Sequence, residues 1–318
     1  MSAITLAIAL YFVDFRKLVT ALQQADYVLI GIAISFSLVW LLVRGTVWRT
    51  LLQDKASYKD VFFTLNEGYL LNNVLPFRLG EVARVFLLGG KAHLDFWYVF
   101  STILLERALD VAYAAGLVLC TLPFLVGVSW ARPAAIASGG IVLLGLALLY
   151  LLARNQSRVL QVFSRLSTRW TFLQRFGGNA LAAFLDGLGV LTEGPRFLRV
   201  VALMTLNWGI AVAQYYVLMS AFSPQAKPLW AAFVLGVAAL GIAAPSSPGA
   251  VGVFELTMVG ALALFGVDPS VGFATAVTAH LLNYLFTSFI GAYALAKDGE
   301  TLTGLYKSAR GFLIKESQ

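Results

Sequence analysis

Two stretches of helix-breaking and charged residues interrupt a chain that otherwise consists of long apolar runs. The first covers residues 71–81 (LNNVLPFRLGE), and the second covers residues 244–255 (APSSPGAVGVFE). Such residues are penalised in a wall that faces lipid, but they are tolerated where the backbone lines a cavity enclosed by protein. One break in each half of a membrane protein indicates a binding site near the middle of the bilayer.

The composition predicts an all-α integral membrane protein. The 318 residues are 59% hydrophobic and 12% charged, and the mean hydropathy is +0.81. A soluble domain carries about twice as much charge. The net charge of +7 is explained by cytoplasmic Lys and Arg beside anionic lipid headgroups, and no nucleic-acid partner is expected. One cysteine and two histidines give no metal-binding spacing, so neither a metal nor a cofactor is expected.

The apolar runs predict about six membrane spans. They cover residues 3–15, 27–43, 95–125, 133–152, 197–222 and 271–296. The first run is short compared with the ~20 residues that a full span needs, so it is interpreted as a short or incomplete span. The Lys and Arg residues that flank the runs predict that both termini are cytoplasmic.

The two broken stretches predict re-entrant helical hairpins, because no arm is long enough to cross a bilayer alone. The arms are residues 61–75 and 81–88 in the first half, and 229–244 and 251–265 in the second. Proline removes a backbone donor and glycine permits close backbone approach, which favours a bend. The residues predicted to shape the hairpins are Pro76, Gly80, Pro245, Pro248, Gly249 and Gly252.

The two halves are expected to form an inverted repeat within a single polytopic domain, residues 1–318. The first hairpin is predicted to enter from the cytoplasm and the second from outside. Pro76 and Gly80 are four residues apart, as are Pro248 and Gly252. The halves cover residues 1–153 and 196–297. A basic cytoplasmic linker with an amphipathic interfacial helix (154–195) lies between them, and a cytoplasmic tail (298–318) follows.

Charged side chains in the predicted spans must be paired or hydrated, because each costs about 2.5–3.5 kcal/mol at the centre of a span. The candidate substrate-binding residues are Arg78, Glu81, Glu106, Arg107, Asp110, Glu255, His280, Asn73, Ser246 and Ser247. For Glu106, Arg107 and Asp110, a buried ion-pair network and a contact with a ligand both remain open. Arg84 is expected to extend to the membrane surface, and the Trp residues, with Tyr98, to lie mostly in the interfacial belt.

Specific roles follow from the chemistry of these groups. Arg78 beside a broken helix is suited to a lipid phosphate, and helix starts near Gly80 and Gly249 would offer free amides to the same anion. Glu81 and Glu255 would hold an ammonium or hydroxyl group of a headgroup, or carry a coupling proton that His280 shares. The asparagine and serine side chains would either satisfy the interrupted backbone or contact the headgroup.

Three segments resemble the lysylphosphatidylglycerol synthase transmembrane-region family: residues 73–84 (NVLPFRLGEVAR), 105–110 (LERALD) and 245–255 (PSSPGAVGVFE). This family includes the flippase domain of the multiple peptide resistance factor and stand-alone flippase-like membrane proteins. The resemblance covers about residues 28–297 and implies a domain that moves or presents lipids. The sequence differs from the family in having no soluble aminoacyl-transferase domain after the last span, and in having His280 where members often carry Arg.

The expected function is therefore a flippase in the cytoplasmic membrane, without catalytic residues. Its substrate would be an anionic or aminoacylated phospholipid, or another lipid-linked headgroup. Two alternatives remain open at this point. One is an integral membrane transferase, or an accessory subunit of a separate synthase or glycosyltransferase, that acts on lipid-linked substrates. The other is a small-solute or ion-coupled transporter. A homo-oligomer is also possible.

Overall fold

The computed structural model describes residues 2–125, 131–167, 177–243 and 247–299. These residues are 85% helical and contain no strand, which confirms the predicted all-helical class. Pro245 was predicted to shape the second hairpin and Ser246 to bind substrate; both lie outside the described residues.

The described residues up to 167 contain eight helices, of which the last lies in the linker between the two halves. They are α1 (Ser2–Tyr11), α2 (Phe15–Gln24), α3 (Tyr27–Leu51), α4 (Tyr58–Val74), α5 (Leu79–Ala92), α6 (Phe96–Leu125), α7 (Ala131–Arg154) and α8 (Gln156–Ser167). Side-chain oxygens cap several helix starts: Asp26 accepts from the first amides of α3, and Ser57 accepts from an amide of α4. The break between α4 and α5 falls at Pro76, as the sequence predicts.

The second half follows the same order of long and short helices. The elements are α9 (Gly178–Gly187), a 3-10 turn (Leu188–Leu191), α10 (Gly194–Phe222), α11 (Pro228–Gly241), a second 3-10 turn (Pro248–Ala250), α12 (Val253–Ala263) and α13 (Pro269–Lys297). Prolines open α10, α11 and α13, where a missing amide donor costs no helical hydrogen bond. The helices α11 and α12 flank the second break.

Three helices are both long and apolar enough to cross a membrane: α3, α10 and α13. A fourth is obtained if the bent pair formed by Gly139–Arg154 and α8 counts as one span. The 30-residue α6 is longer than any of them but carries Glu106, Arg107 and Asp110. The first apolar run forms α1, a helix of ten residues that packs against α12. The total of six spans and the re-entrant course of the hairpins therefore stay predictions.

The two halves pack together in a reciprocal pattern. The long helix that precedes each broken pair, α3 in one half and α10 in the other, packs against its counterpart. The first arm of each broken pair packs against the long helix that follows the other pair: α4 against α13, and α11 against α6. A two-fold relation between the halves would produce this pattern, which supports a repeat without fixing its orientation in the membrane.

The two breaks share one backbone conformation. Two successive residues after Pro76 are left-handed, Phe77 (φ 57°) and Arg78 (φ 56°). The two residues after Pro248 repeat this conformation, with φ of 58° and 59°. A left-handed conformation costs an L-residue roughly 1–2 kcal/mol, so the surrounding structure must hold Phe77, Arg78 and Ala250 in it, whereas Gly249 adopts it freely.

Glycines allow helix backbones to approach closely at several contacts. A Cβ added to Gly80 would lie 2.0 Å from the carbonyl oxygen of Gly68, so the two arms of the first pair touch through backbone atoms. A Cβ added to Gly291 on α13 would lie 2.4 Å from the carbonyl oxygen of Asn66 on α4. Small residues at helix interfaces are typical of membrane proteins, where packing rather than hydrophobic burial holds helices together.

Several aromatic residues expected in the interfacial belt are buried instead. Trp48 is fully buried, with its indole Nε1 donating to Thr102 at 3.2 Å, and Tyr98 donates to the carbonyl of Leu52 at 3.0 Å. Trp208 is also buried. The prediction is wrong for these three residues: the polar atoms of Trp48 and Tyr98 find partners inside the protein, and the ring of Trp208 stacks on Tyr113.

Candidate functional site

One cavity of about 310 Å³ lies between the two halves and is lined by residues of both breaks. The helices that contribute lining residues are α3, α4, α5, α6, α10, α11, α12 and α13. Of the predicted site residues, those that line it are Asn73, Arg78, Glu81, Arg107, Asp110, Ser247, Gly249 and His280. Residues from distant parts of the sequence are thus brought to one place.

An arginine–carboxylate network forms one end of this cavity. Arg44 on α3 holds Asp110 with two hydrogen bonds, of 2.8 Å and 2.5 Å, and contacts Glu106 at 2.5 Å. Arg107 contacts Glu106 at 2.8 Å and Asp110 at 3.3 Å. Bidentate arginine–carboxylate pairs fix the geometry as well as the charge.

Glu106 lies at the centre of the network and does not reach the cavity. Its side chain is fully buried, and it accepts hydrogen bonds from Arg44, Arg107 and Arg84, the last at 2.8 Å. Of the two readings that the sequence left open, this geometry favours the ion-pair reading for Glu106. Arg107 and Asp110 take part in the same network but also line the cavity, so both readings apply to them.

Arg78 connects the first break to the second. Its guanidinium lies 3.3 Å from Glu81 and donates a hydrogen bond of 2.5 Å to the carbonyl of Ile242, at the end of α11. Glu81 lies 3.7 Å from Arg107 as well, so it bridges the break and α6. A single side chain at the cavity wall therefore joins the two broken helix pairs.

The network carries one surplus positive charge. Four arginines (Arg44, Arg78, Arg84 and Arg107) face three carboxylates (Glu81, Glu106 and Asp110). Some of the guanidinium nitrogens are buried without a hydrogen-bond partner: Nε of Arg44, Arg84 and Arg107, and Nη1 of Arg84. An uncompensated charge with unused donors favours an anionic ligand.

His280 and Glu255 form a separate pair at the second break. Nδ1 of His280 lies 2.5 Å from Glu255, and Nε2 lies 3.0 Å from the carbonyl of Gly249. Because both ring nitrogens face acceptors, either both are protonated or the carboxyl holds the second proton. The pair is electrically neutral in both cases. Glu255 also accepts from the amide of Gly252 at 2.6 Å and is itself buried behind His280.

The predicted free amides at the helix starts are used within the protein. The amide of Gly80 donates to the Asn72 side chain at 2.8 Å. The second helix begins at Val253 rather than near Gly249, and its N-cap Gly252 donates to Glu255. These positions therefore do not offer the anion-binding amides that the sequence predicted, because nearby side chains already cap them.

The polar side chains of the breaks mostly satisfy other groups of the protein. Asn73 donates to the hydroxyls of Thr287 at 3.2 Å and Ser288 at 3.0 Å, which attaches α4 to α13. Ser247 donates to the carbonyl of Val251 at 3.1 Å. Both residues also line the cavity, so they would lie beside a headgroup bound there.

Sequence reasoning missed Arg44 and misplaced Arg84. Arg44 appeared to mark the cytoplasmic end of a span, but it is 2% exposed and pairs with α6. The prediction that Arg84 extends to the membrane surface is wrong: its guanidinium is buried, stacks 3.9 Å from the ring of Trp48 and binds Glu106. The sequence did contain a signal for these two arginines. Glu106 and Asp110 carry two negative charges on α6, and Arg107 can neutralise only one of them, so a further cation from another helix was to be expected.

The cavity wall also contains uncharged polar residues that the sequence analysis did not single out. They are Ser37 on α3, Asn207 and Gln214 on α10, and Asn283 and Tyr284 on α13. Each lies in an apolar helix and carries no local signal that separates a cavity position from a packed one.

Long apolar helices around an internal charged cavity define a membrane-embedded protein with a polar site. The chain belongs to the lysylphosphatidylglycerol synthase TM region family, whose model matches residues 1–291. This match confirms the resemblance noted in the sequence.

Individual relatives are distant but cover most of the chain. A UPF0104 membrane protein of Methanothermobacter thermautotrophicus is 24% identical over 321 residues, which is 95% of both chains. The glycosyltransferase AglD of Haloferax volcanii is 23% identical over 337 residues, which is 95% of this chain and 54% of AglD. The chain thus spans about half the length of that glycosyltransferase. No solved structure matches the chain significantly.

Proposed function

We propose that this protein is a lipid transporter of the flippase type, which moves a lipid with a polar or charged headgroup across the cell membrane. The observation that carries the proposal is the shared cavity, lined by Arg78 and Arg107 of the first half and by Gly249 and His280 of the second. Membership of the lysylphosphatidylglycerol synthase TM region family supports a lipid as the substrate.

In this proposal the headgroup enters the cavity while the acyl chains stay in the bilayer. Arg78 and Arg107 neutralise the phosphate, and Glu81 and Asp110 hold the two guanidinium groups in position. The buried ion pairs of Glu106 keep the network rigid. A charged headgroup is costly in hydrocarbon, so a site that offers paired charges and hydrogen bonds lowers the barrier to its crossing.

Access would alternate through movement of the two halves. The hydrogen bond from Arg78 to the carbonyl of Ile242 joins the two breaks. A phosphate that takes over this guanidinium would release Ile242 and free the second break to move. In transporters built from inverted repeats, rocking of one half against the other opens the site to each side in turn.

The proposal is tested by lipid translocation in reconstituted vesicles. Arg78→Ala and Glu81→Gln are expected to abolish translocation while the protein remains folded, because both side chains line the cavity and Glu81 positions Arg107. Arg196→Ala, at an ion pair with Glu193 outside the cavity lining, is the control and should keep the wild-type rate. Wild-type rates in both cavity variants would remove these residues from the mechanism.

A second candidate function is an accessory subunit, or part, of a membrane transferase that acts on lipid-linked substrates. The similarity to a protein named glycosyltransferase AglD supports it, since the matching region makes up about half of that protein. Purified protein incubated with a lipid phosphate and a nucleotide sugar should form a glycolipid if the chain is itself a transferase. Product formation without translocation would favour this candidate over the flippase.

A further inference from the structure

We infer that the headgroup recognised in the cavity is an uncharged sugar that a single phosphodiester joins to the lipid. This inference rests on the proposed function and adds the class of substrate. It depends on three features of the cavity: the size of its surplus charge, the uncharged polar part of its wall, and the state of its carboxylates.

The charge at the arginine end matches one phosphodiester. Four arginines against three carboxylates leave a single positive charge, and the His280–Glu255 pair adds none. A phosphodiester carries one negative charge, so binding brings the buried site to neutrality. A terminal phosphate carries about −1.5 to −2 at neutral pH, which would leave excess negative charge in a poorly solvated cavity.

A second part of the cavity wall, contributed by α3 and α10, offers hydrogen bonds without charge. Gln214 on α10 donates to the hydroxyl of Ser37 at 2.8 Å, and Asn207 donates to the carbonyl of Trp40 at 3.0 Å. Asn207 is 1% exposed and its Oδ1 has no partner, although the residue lines the cavity. A buried acceptor of this kind is costly unless a ligand donates to it, and a sugar hydroxyl is such a donor.

The spacing of these two parts suits a phosphate followed by one sugar ring. Ser37 and Arg44 both line the cavity from α3 and are seven residues apart, which corresponds to about 10 Å along a helix. Trp40 lies between them, and its ring stacks on Tyr69 with centroids 6.2 Å apart. Both Trp40 and Tyr69 line the cavity, and aromatic rings offer apolar surface against which the C–H groups of a sugar can pack.

The carboxylates of the cavity are not available for an ammonium group. Glu81 and Asp110 are held by arginines, and Glu255 is held by His280 and the amide of Gly252. The lysyl headgroup of an aminoacylated lipid would add positive charge beside a network that already has a surplus. The geometry therefore disfavours the aminoacylated phospholipids that the sequence analysis included among the candidates.

The test compares three lipids with the same diacylglycerol phosphodiester in vesicles that contain the wild-type protein. Their headgroups are a hexose, a methyl group and lysylglycerol. The hexose lipid is expected to cross about tenfold faster than the methyl lipid, because a hexose supplies a hydroxyl donor to Asn207 and a methyl group does not. The lysyl lipid is expected to be slowest, because its positive charge meets a site that already has a surplus positive charge. Equal rates for hexose and methyl, or fastest transport of the lysyl lipid, would overturn the inference but leave the flippase proposal standing.

The absence of transport for all three lipids would contradict the proposed function itself, and the inference with it. The two failures are therefore distinguishable in a single experiment.

Variants on α10 test the assigned residues. Asn207→Leu and Gln214→Leu should each lower the ratio of hexose to methyl transport, to near one for Asn207→Leu. Gln214→Leu keeps the test valid if loss of the Asn207–Trp40 bond prevents folding. Ser220→Ala is the matched control, since Ser220 lies on the same helix, bonds the carbonyl of Tyr216 and is not part of the cavity lining. An unchanged ratio in Gln214→Leu, and in a folded Asn207→Leu, would contradict the assignment.

Discussion

Two buried glutamates illustrate different ways of keeping a carboxyl group inside an apolar protein. Glu106 is an anion surrounded by the guanidinium groups of Arg44, Arg84 and Arg107. Glu255 faces a single histidine, His280, and the two side chains form a pair without net charge. Burial alone does not separate the two cases, because both side chains are almost completely buried. The hydrogen-bond donors around each carboxyl group separate the two cases, and they predict opposite effects of a Glu→Gln substitution on stability.

Glu106→Gln is expected to destabilise the protein strongly. The substitution leaves the buried Arg44 and Arg84 and the half-buried Arg107 short of a negative charge. Loss of one partner in a buried ion pair costs about 3–5 kcal/mol. Glu193→Gln removes an exposed carboxylate from Arg196 and should cost less than about 1 kcal/mol. Unfolding by denaturing detergent in mixed micelles measures both. Similar small losses in the two variants would contradict the central role of Glu106.

Glu255→Gln is expected to be well tolerated. A Gln amide can donate to Nδ1 of a neutral His280, whose Nε2–H still donates to Gly249, and its oxygen can accept from Gly252. The free energy of unfolding should fall by less than about 1.5 kcal/mol, whereas Glu255→Leu, which leaves these groups unpaired, should cost more. The same detergent titration applies. A loss as large as that of Glu106→Gln would mean that Glu255 is an anion with a charge-dependent role.

At the scale of elements, the broken helices depend on contacts between backbones. The arms α4 and α5 meet where Gly68 and Gly80 face each other, and α13 reaches α4 through Gly291. Arg78 then ties this first pair to the end of α11. Because the arms are short, their position is set by these contacts rather than by their own helix propensity.

Gly80→Ala and Gly90→Ala on α5 are expected to have opposite effects. The new Cβ at Gly80 would lie 2.0 Å from a backbone oxygen, so the arms must separate, while Gly90 has nothing within 4 Å. Gly80→Ala should lower the thermal midpoint, and Gly90→Ala should leave it unchanged or raise it, since alanine favours a helix by about 1 kcal/mol over glycine. Equal midpoints for the two variants would argue against tight packing of the arms.

At the scale of the whole molecule, the reciprocal packing of the halves suggests a two-fold relation. A two-fold rotation that superimposes one half on the other would map α3 onto α10, and would map the contact of α4 with α13 onto the contact of α11 with α6. The two breaks also have left-handed residues at matching positions. An inverted repeat adds that the halves cross the membrane in opposite directions. The direction in which each half crosses the membrane can be measured directly.

The inverted repeat predicts that the two broken pairs end on opposite sides of the membrane. Single cysteines at the exposed His93, after α5, and at the exposed Leu264, after α12, report these ends. The natural Cys120 is exposed and must first be replaced by Ser. An impermeant maleimide should label His93→Cys from the cytoplasmic side and Leu264→Cys from the opposite side. Labelling of both from one side would contradict the inverted arrangement.

The sequence by itself determined the class of protein, the helical architecture and the places where helices break. Long apolar runs form helices in the described residues. Proline lies within both breaks: Pro76 follows the end of α4, and Pro248 opens the 3-10 turn before α12. The motifs in residues 73–84, 105–110 and 245–255 were also sufficient to identify the family. These properties are local, so they can be read from neighbouring residues in the chain.

Only the tertiary structure decided which polar groups share the cavity. The local sequence does not show whether a polar side chain faces lipid, water or another helix, as is the case for Arg44, Arg84 and Asn207. Their roles arise from partners on α6 or at the cavity wall. Those partners are many positions away in the chain. The physical reason is that a charge or an amide is stabilised by what surrounds it in space, and helix packing sets those surroundings.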